Sequence, residues 1–98
     1  MEITSKLEDK KLTVALKGRL DTVTSPELQS ELDKFPDATE MAFDFSALDY
    51  ISSAGLRVLL AANKKCMAAG GSLTISGANA VVKDVFDMTG FSDILTIV

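Results

Sequence analysis

Ninety-eight residues with ten basic and fourteen acidic side chains give an acidic chain of formal charge −4. That balance argues against a nucleic-acid binder, whose affinity rests on clustered Lys and Arg against phosphate. Apolar residues make up 47%, enough for one small core and a single domain over residues 1–98, and the absence of histidine beside one cysteine excludes a Cys/His zinc site and an internal disulfide.

Ile3, Ser5 and Leu7 alternate with Thr4, Lys6 and Glu8, which predicts a half-buried strand. Asp9-Lys10 reads as a tight turn, and Leu12, Val14 and Leu16 share one face of a second strand ended by Gly18. Ser25-Pro26-Glu27 has the form of a helix start: a capping hydroxyl, a proline where no N–H is needed, then an acid. Leu28, Leu32 and Phe35 form its apolar stripe before Pro36. Glu40 to Phe45 reads as an interior strand.

Ser52 and Ser53 open a second helix that runs to about Ala69 and stops at Gly70-Gly71, with Lys64 and Lys65 near its negative end. Only one of the two serines can hold the N-cap position. Cys66, inside this Ala-rich helix, reads as a small buried hydrophobe. Ser72 to Ser76 predicts another strand, Asn79 the cap of a third helix with Val81 or Val82, Val85 and Phe86 inward, and Ile94 to Val98 a final strand. Met41, Met67 and Met88 read as core. The expected fold class is α/β: an N-terminal hairpin, then β-α-β-α-β-α-β, giving a small mixed, mostly parallel sheet covered by helices.

No catalytic constellation emerges. A serine nucleophile needs a positioned base, and there is no histidine. Ile51 stands where Gly-x-Ser-x-Gly would need its first glycine, and Gly70-Gly71 lacks the spacing of a phosphate loop. The chain reads as a non-enzyme needing no cofactor or metal.

The run Asp44-Phe45-Ser46-Ala47-Leu48-Asp49-Tyr50-Ile51-Ser52-Ser53-Ala54-Gly55-Leu56 resembles the signature of the STAS domain family, the anti-sigma factor antagonists. Gly18-Arg19-Leu20-Asp21 is similar to that family's element after strand two, and Val85-Phe86-Asp87-Met88-Thr89-Gly90-Phe91 to its Phe-Asp-x-Ser/Thr-Gly-Leu/Phe element. Two departures stand out. Ser52 replaces the family's common Asp before the acceptor serine, and the sequence ends at the last strand, where many members add a helix.

The resemblance implies a STAS fold and a phosphorylation-controlled binding module. The phospho-acceptor is the serine two before Gly55, Ser53, with Ser52 as fallback; Asp21, Thr22, Ser52, Ser53, Ala54 and Gly55 form the partner contact. The unphosphorylated form would bind an anti-sigma factor that is also its serine kinase and so release a sigma factor. A PP2C-type phosphatase would reverse the mark. Other readings of the family are a constitutive STAS subunit of a lipid-transport ABC machine or a ligand-sensing module. Each candidate has a structural alternative: Ser53 as a plain cap, Gly55 as a fit against a neighbouring strand, Asp21 as a turn aspartate, Asp44 and Asp49 as strand-end acceptors. Met1-Glu2-Ile3-Thr4-Ser5-Lys6 lacks a signal-peptide core, and no run reaches the roughly 20 apolar residues of a membrane span. A cytoplasmic protein without membrane insertion or nucleic-acid contact is expected.

Overall fold

Alternation in the first twenty residues produces the hairpin β1 (Glu2–Glu8) and β2 (Lys11–Leu20). It closes at Asp9-Lys10, where Asp9 takes φ 55°. The computed structural model describes residues 1–98, and the remaining elements follow as α1 (Ser25–Asp33), β3 (Glu40–Ile51), α2 (Ser53–Ala68), β4 (Leu73–Ser76), α3 (Ala80–Thr89), one 3-10 turn at Phe91–Asp93, and β5 (Thr96–Ile97).

The five strands lie in the order β1-β2-β3-β4-β5, antiparallel at the first pair and parallel thereafter. An order that advances one strand at a time with crossovers of one hand places every connecting helix on the same face. Leu12, Met41 and Leu73 are register partners, as are Val14, Phe43 and Ile75, and all six are buried. Against this face pack Leu28 and Leu32 of α1, Leu56 and Leu59 of α2, and Phe86 of α3, whose ring stacks on Phe45 at 6.4 Å. The opposite face exposes Thr13, Lys17, Asp44 and Ser76. The helices therefore cover one side of the sheet, not both.

Several expected boundaries move, each for a local reason. β3 continues past Phe45 to Ile51 through two bulges that interrupt its alternation. Asp44 pairs with Ala15 but Ala47 with Lys17, and Leu48 pairs with Gly18 but Tyr50 with Arg19. An extra residue on one strand breaks the period of two. The buried residues Phe45, Leu48 and Ile51 then fall three apart. β2 passes through Gly18, which adopts φ 106°, and ends at Leu20. β5 is shorter than expected, since Phe91–Asp93 form the 3-10 turn and Ile94 is exposed.

Ser25 is not the cap of α1. It is the first helical residue, buried, with its hydroxyl donating to the Asp21 carbonyl, and Thr24 holds the N-cap position. Met67 and Met88 are exposed, on the outer faces of α2 and α3; Met41 alone of the three is core. At the far end of α2, Gly70 at φ 78° closes a Schellman motif, with Gly71 N–H donating to Cys66 O and Gly70 N–H to Met67 O. Cys66 is buried, and desolvation pushes its thiol up.

Candidate functional site

In a parallel sheet the loops leaving adjacent strands at their carboxyl ends share one edge. Leu20 and Ile51 are register partners, and the Ser52 N–H donates to the Leu20 carbonyl at 2.9 Å. That bond stitches the turn after β2 to the start of α2. Asp21 and Thr22 therefore lie beside Ser52 and Ser53, as the sequence reading expects.

The two serines divide their roles. Ser52 keeps extended backbone, φ −101° and ψ 174°, and is the N-cap, its hydroxyl accepting from the Gly55 N–H at 3.4 Å. Its carbonyl accepts the first helical bond, from Leu56 N–H. Ser53 is the first helical residue and its side chain is exposed. Capping thus falls to Ser52, and the Ser53 hydroxyl stands free of it. Ser53 and Ala54 also carry backbone N–H groups that a helix leaves unpaired, at the end bearing roughly half a positive charge.

Gly55 faces inward. A Cβ there would lie 2.7 Å from Leu20 Cγ, 2.9 Å from Leu20 Cδ2 and 3.0 Å from Ile51 Cγ1. The missing side chain lets the first turn of α2 lie directly against the ends of β2 and β3. Gly55 is buried, so its part in the site is to set the helix close, not to offer an exposed contact.

Asp21 builds the neighbouring turn. Its Oδ1 accepts from Val23 N–H and Thr24 N–H, both at 3.0 Å. In return the Thr24 hydroxyl accepts from Asp21 N–H at 2.9 Å. These bonds, the Thr24 N–H foremost, hold the carboxyl below its ordinary value, with a smaller contribution from the Arg19 charge. Oδ2 faces Arg19 Nε at 4.0 Å, and the Arg19 guanidinium also lies 4.5 Å over the Tyr50 ring. Thr22 is exposed on this turn and Ala54 is half-buried. Asp44 serves its own strand: it accepts from Ser46 N–H at 2.9 Å across the bulge, which lowers its pKa.

Two residues of this edge escape the sequence reading. Val23, 80% exposed, is an apolar side chain at the tip of the Asp21 turn; its signal is a lone valine among Asp21, Thr22 and Thr24. Arg57 is exposed on α2 four residues after Ser53, and that spacing is its signal.

A mixed five-stranded sheet with helices on one face, and a serine pair opening a helix beside the Asp21 turn, defines a small α/β domain. The STAS domain model matches residues 2–98, and the chain belongs to that family. It is 33% identical to BtrV of Bordetella bronchiseptica, named as an anti-sigma factor antagonist, over 99% of this chain and 85% of that protein. Among solved structures it is similar to the anti-sigma factor antagonist SpoIIAA in unphosphorylated form, at TM-score 0.85 and 16% identity over 99% and 88% of the two chains. It is also similar to an anti-sigma factor antagonist from Mycobacterium paratuberculosis, at TM-score 0.85 and 20% identity over 98% and 83%.

Proposed function

We propose that this STAS domain is an anti-sigma factor antagonist switched by phosphorylation of Ser53. The observation that carries the reading is the division between the serines: Ser52 caps α2, while Ser53 is exposed, uncapped and beside the Asp21 turn. The name of the 33% identical relative supports the same function. SpoIIAA, which shares the fold, has been solved in a phosphorylated form as well.

In this reading the unmodified edge, comprising Asp21, Thr22, Ser52, Ser53 and Ala54 around the buried Gly55, binds an anti-sigma factor that is also a serine kinase. A sigma factor is thereby released. Ser53 Oγ attacks the γ-phosphorus of the kinase's ATP, the bond to ADP breaks, and the hydroxyl proton leaves to a base of the kinase. The product carries about −1.5 to −2 charge in the middle of the contact. A like-charge juxtaposition across an interface costs several kcal/mol, and about 1.4 kcal/mol is already tenfold in affinity. A PP2C-type phosphatase restores the hydroxyl. These reactions take place in the bacterial cytoplasm.

The test is incubation with the candidate kinase and ATP/Mg²⁺, followed by intact mass and peptide mapping. Ser53→Ala should abolish the added phosphate and Ser52→Ala retain it. Ser53→Asp should weaken partner binding at least tenfold with a near-unchanged melting temperature, since an acid is tolerated at a helix N-terminus. Labelling that survives Ser53→Ala, or equal affinity for Ser53→Asp, refutes the switch. Tight partner binding without any labelling would instead fit a constitutive subunit.

A further inference from the structure

Resting on the reading of Ser53 as phospho-acceptor, we infer that Arg57 is the counter-ion that receives the phosphate within the chain. Ser53 and Arg57 are four residues apart on α2, and both side chains are exposed. Such residues lie one above the other, and helical side chains lean toward the N-terminus. That lean puts the turn that Ser53 opens within reach of the Arg57 guanidinium. Acid preceding base at this spacing is also the more favourable order.

The surroundings leave Arg57 for this role. It belongs to none of the three ion pairs of the molecule, Lys6–Glu8, Arg19–Asp21 and Lys34–Glu31. The positions one turn to either side of it, Ser53, Ala54, Leu60 and Ala61, carry no acid. Arg19, the other arginine at this edge, is already placed over Tyr50 and against Asp21. A phosphoserine supplies three strong acceptor oxygens, and the guanidinium fork matches two of them at once. Lysine would meet the same oxygens only as a point charge.

The consequence is a switch that changes two side chains with one modification. Before phosphorylation the surface offers a partner a free hydroxyl and an unpaired cation. Afterwards it offers a bulky anion, with the Arg57 cation spent within the chain. A partner that uses an acidic group against Arg57 loses that contact at the same moment that it meets the phosphate.

The test uses the full chain with phosphoserine installed at position 53 during synthesis, so it needs no kinase. Failure to find a kinase would count against the proposed function and leave this measurement intact. The second pKa of the phosphate, ordinarily near 6, is read by ³¹P NMR titration. Pairing with Arg57 should lower it by about 0.2 to 0.7 of a pH unit, the size expected of an exposed ion pair. Arg57→Gln should remove that lowering, Arg57→Lys should keep part of it, and Lys64→Gln, exposed farther along the same helix, should leave it in place. The difference between the unaltered and Arg57→Gln chains should shrink in about 1 M NaCl, where screening acts within roughly 3 Å. An Arg57→Gln chain whose phosphate titrates at the unaltered value overturns the inference. So does a Lys64→Gln chain shifted by as much as Arg57→Gln. Unphosphorylated Arg57→Gln should melt with the unaltered protein, which keeps the comparison one of charge and not of folding.

Discussion

Gly55→Ala replaces a hydrogen with a methyl group where α2 meets the ends of β2 and β3. Two effects oppose one another. Alanine inside a helix is more favourable than glycine by about 0.5–1 kcal/mol. Against that, the new Cβ would sit 2.7 Å from Leu20 Cγ and 3.0 Å from Ile51 Cγ1, well inside ordinary contact. Leu20 is fully buried and Ile51 nearly so, so neither side chain can swing into solvent. The first turn of the helix must move instead, and overpacking of this kind costs about 1–3 kcal/mol. The overlap wins, leaving a net loss of about 1 kcal/mol, which in a domain of this size lowers the melting temperature by about 4–8 °C. The same displacement strains the Ser52 cap and moves Ser53, so phosphorylation should slow alongside. Thermal or urea denaturation measures the first effect and single-turnover labelling the second. A melting temperature raised by Gly55→Ala would refute the reasoning, because it would mean that propensity outweighs the contact and that the close approach is not what requires glycine.

Ser52→Ala should destabilise by about 0.5–1 kcal/mol, the lower part of the range for a lost N-cap because its bond is long at 3.4 Å, whereas Ser53→Ala should stay within about 0.5 kcal/mol. Equal losses in denaturant titrations would show that the two serines share the cap. Asn79 caps α3 by accepting from Val82 N–H at 2.8 Å, and its amide also donates to Leu48 O at 3.1 Å; Asn79→Ala should cost about 1–3 kcal/mol, and Asn79→Asp, which keeps only the acceptor, should fall between. Asp21, Glu31 and Asp44 are held below their ordinary values chiefly by the Thr24 N–H, the Ser5 hydroxyl and the Ser46 N–H respectively. The stability they contribute is therefore complete above the ordinary carboxylate range near pH 4 and is lost as the pH falls through the lowered values. The melting temperature should drop between about pH 5 and pH 2, and a flat profile there would contradict the assignment.

The hairpin and α1 were legible because alternation and the i, i+4 stripe remain intact in those segments, and α2 because Ser52-Ser53 and Gly70-Gly71 mark its two ends. β3 was half legible for a physical reason. Its two bulges put Phe45, Leu48 and Ile51 on one face at a spacing of three, a pattern that belongs to neither strand nor helix. Composition could place the Ser52-Ser53 pair at a helix start but could not choose between them, since both are good caps. The choice is made by a long-range bond: the Ser52 N–H reaches Leu20 O, thirty-two residues away, and keeps Ser52 in extended backbone. Ser25 misled for the complementary reason, because the bonds that settle the start of α1 come from Asp21 and Thr24 upstream of it. Met67 and Met88 show the limit of reading residue type as burial, since both lie on outward helix faces.

A modification that controls binding without unfolding the domain needs the modified hydroxyl to be dispensable to the fold, and the start of α2 meets that requirement by duplication. Ser52 supplies the capping oxygen and the bond to Leu20, so α2 keeps its start whatever happens at Ser53. Gly55 fixes the helix against β2 and β3, so added charge has little freedom to tilt it. Asp21 spends one carboxylate oxygen on its own turn, which holds the neighbouring loop at the same edge through bonds that do not involve Ser53. A phosphate at Ser53 then meets free N–H groups and the positive end of the helix, a setting that favours the anion within the chain. In the proposed switch the unfavourable part of the charge change would therefore fall on the docked partner. Under the proposed switch, one phosphoryl group would translate into lost affinity while the stability of the domain stays nearly constant.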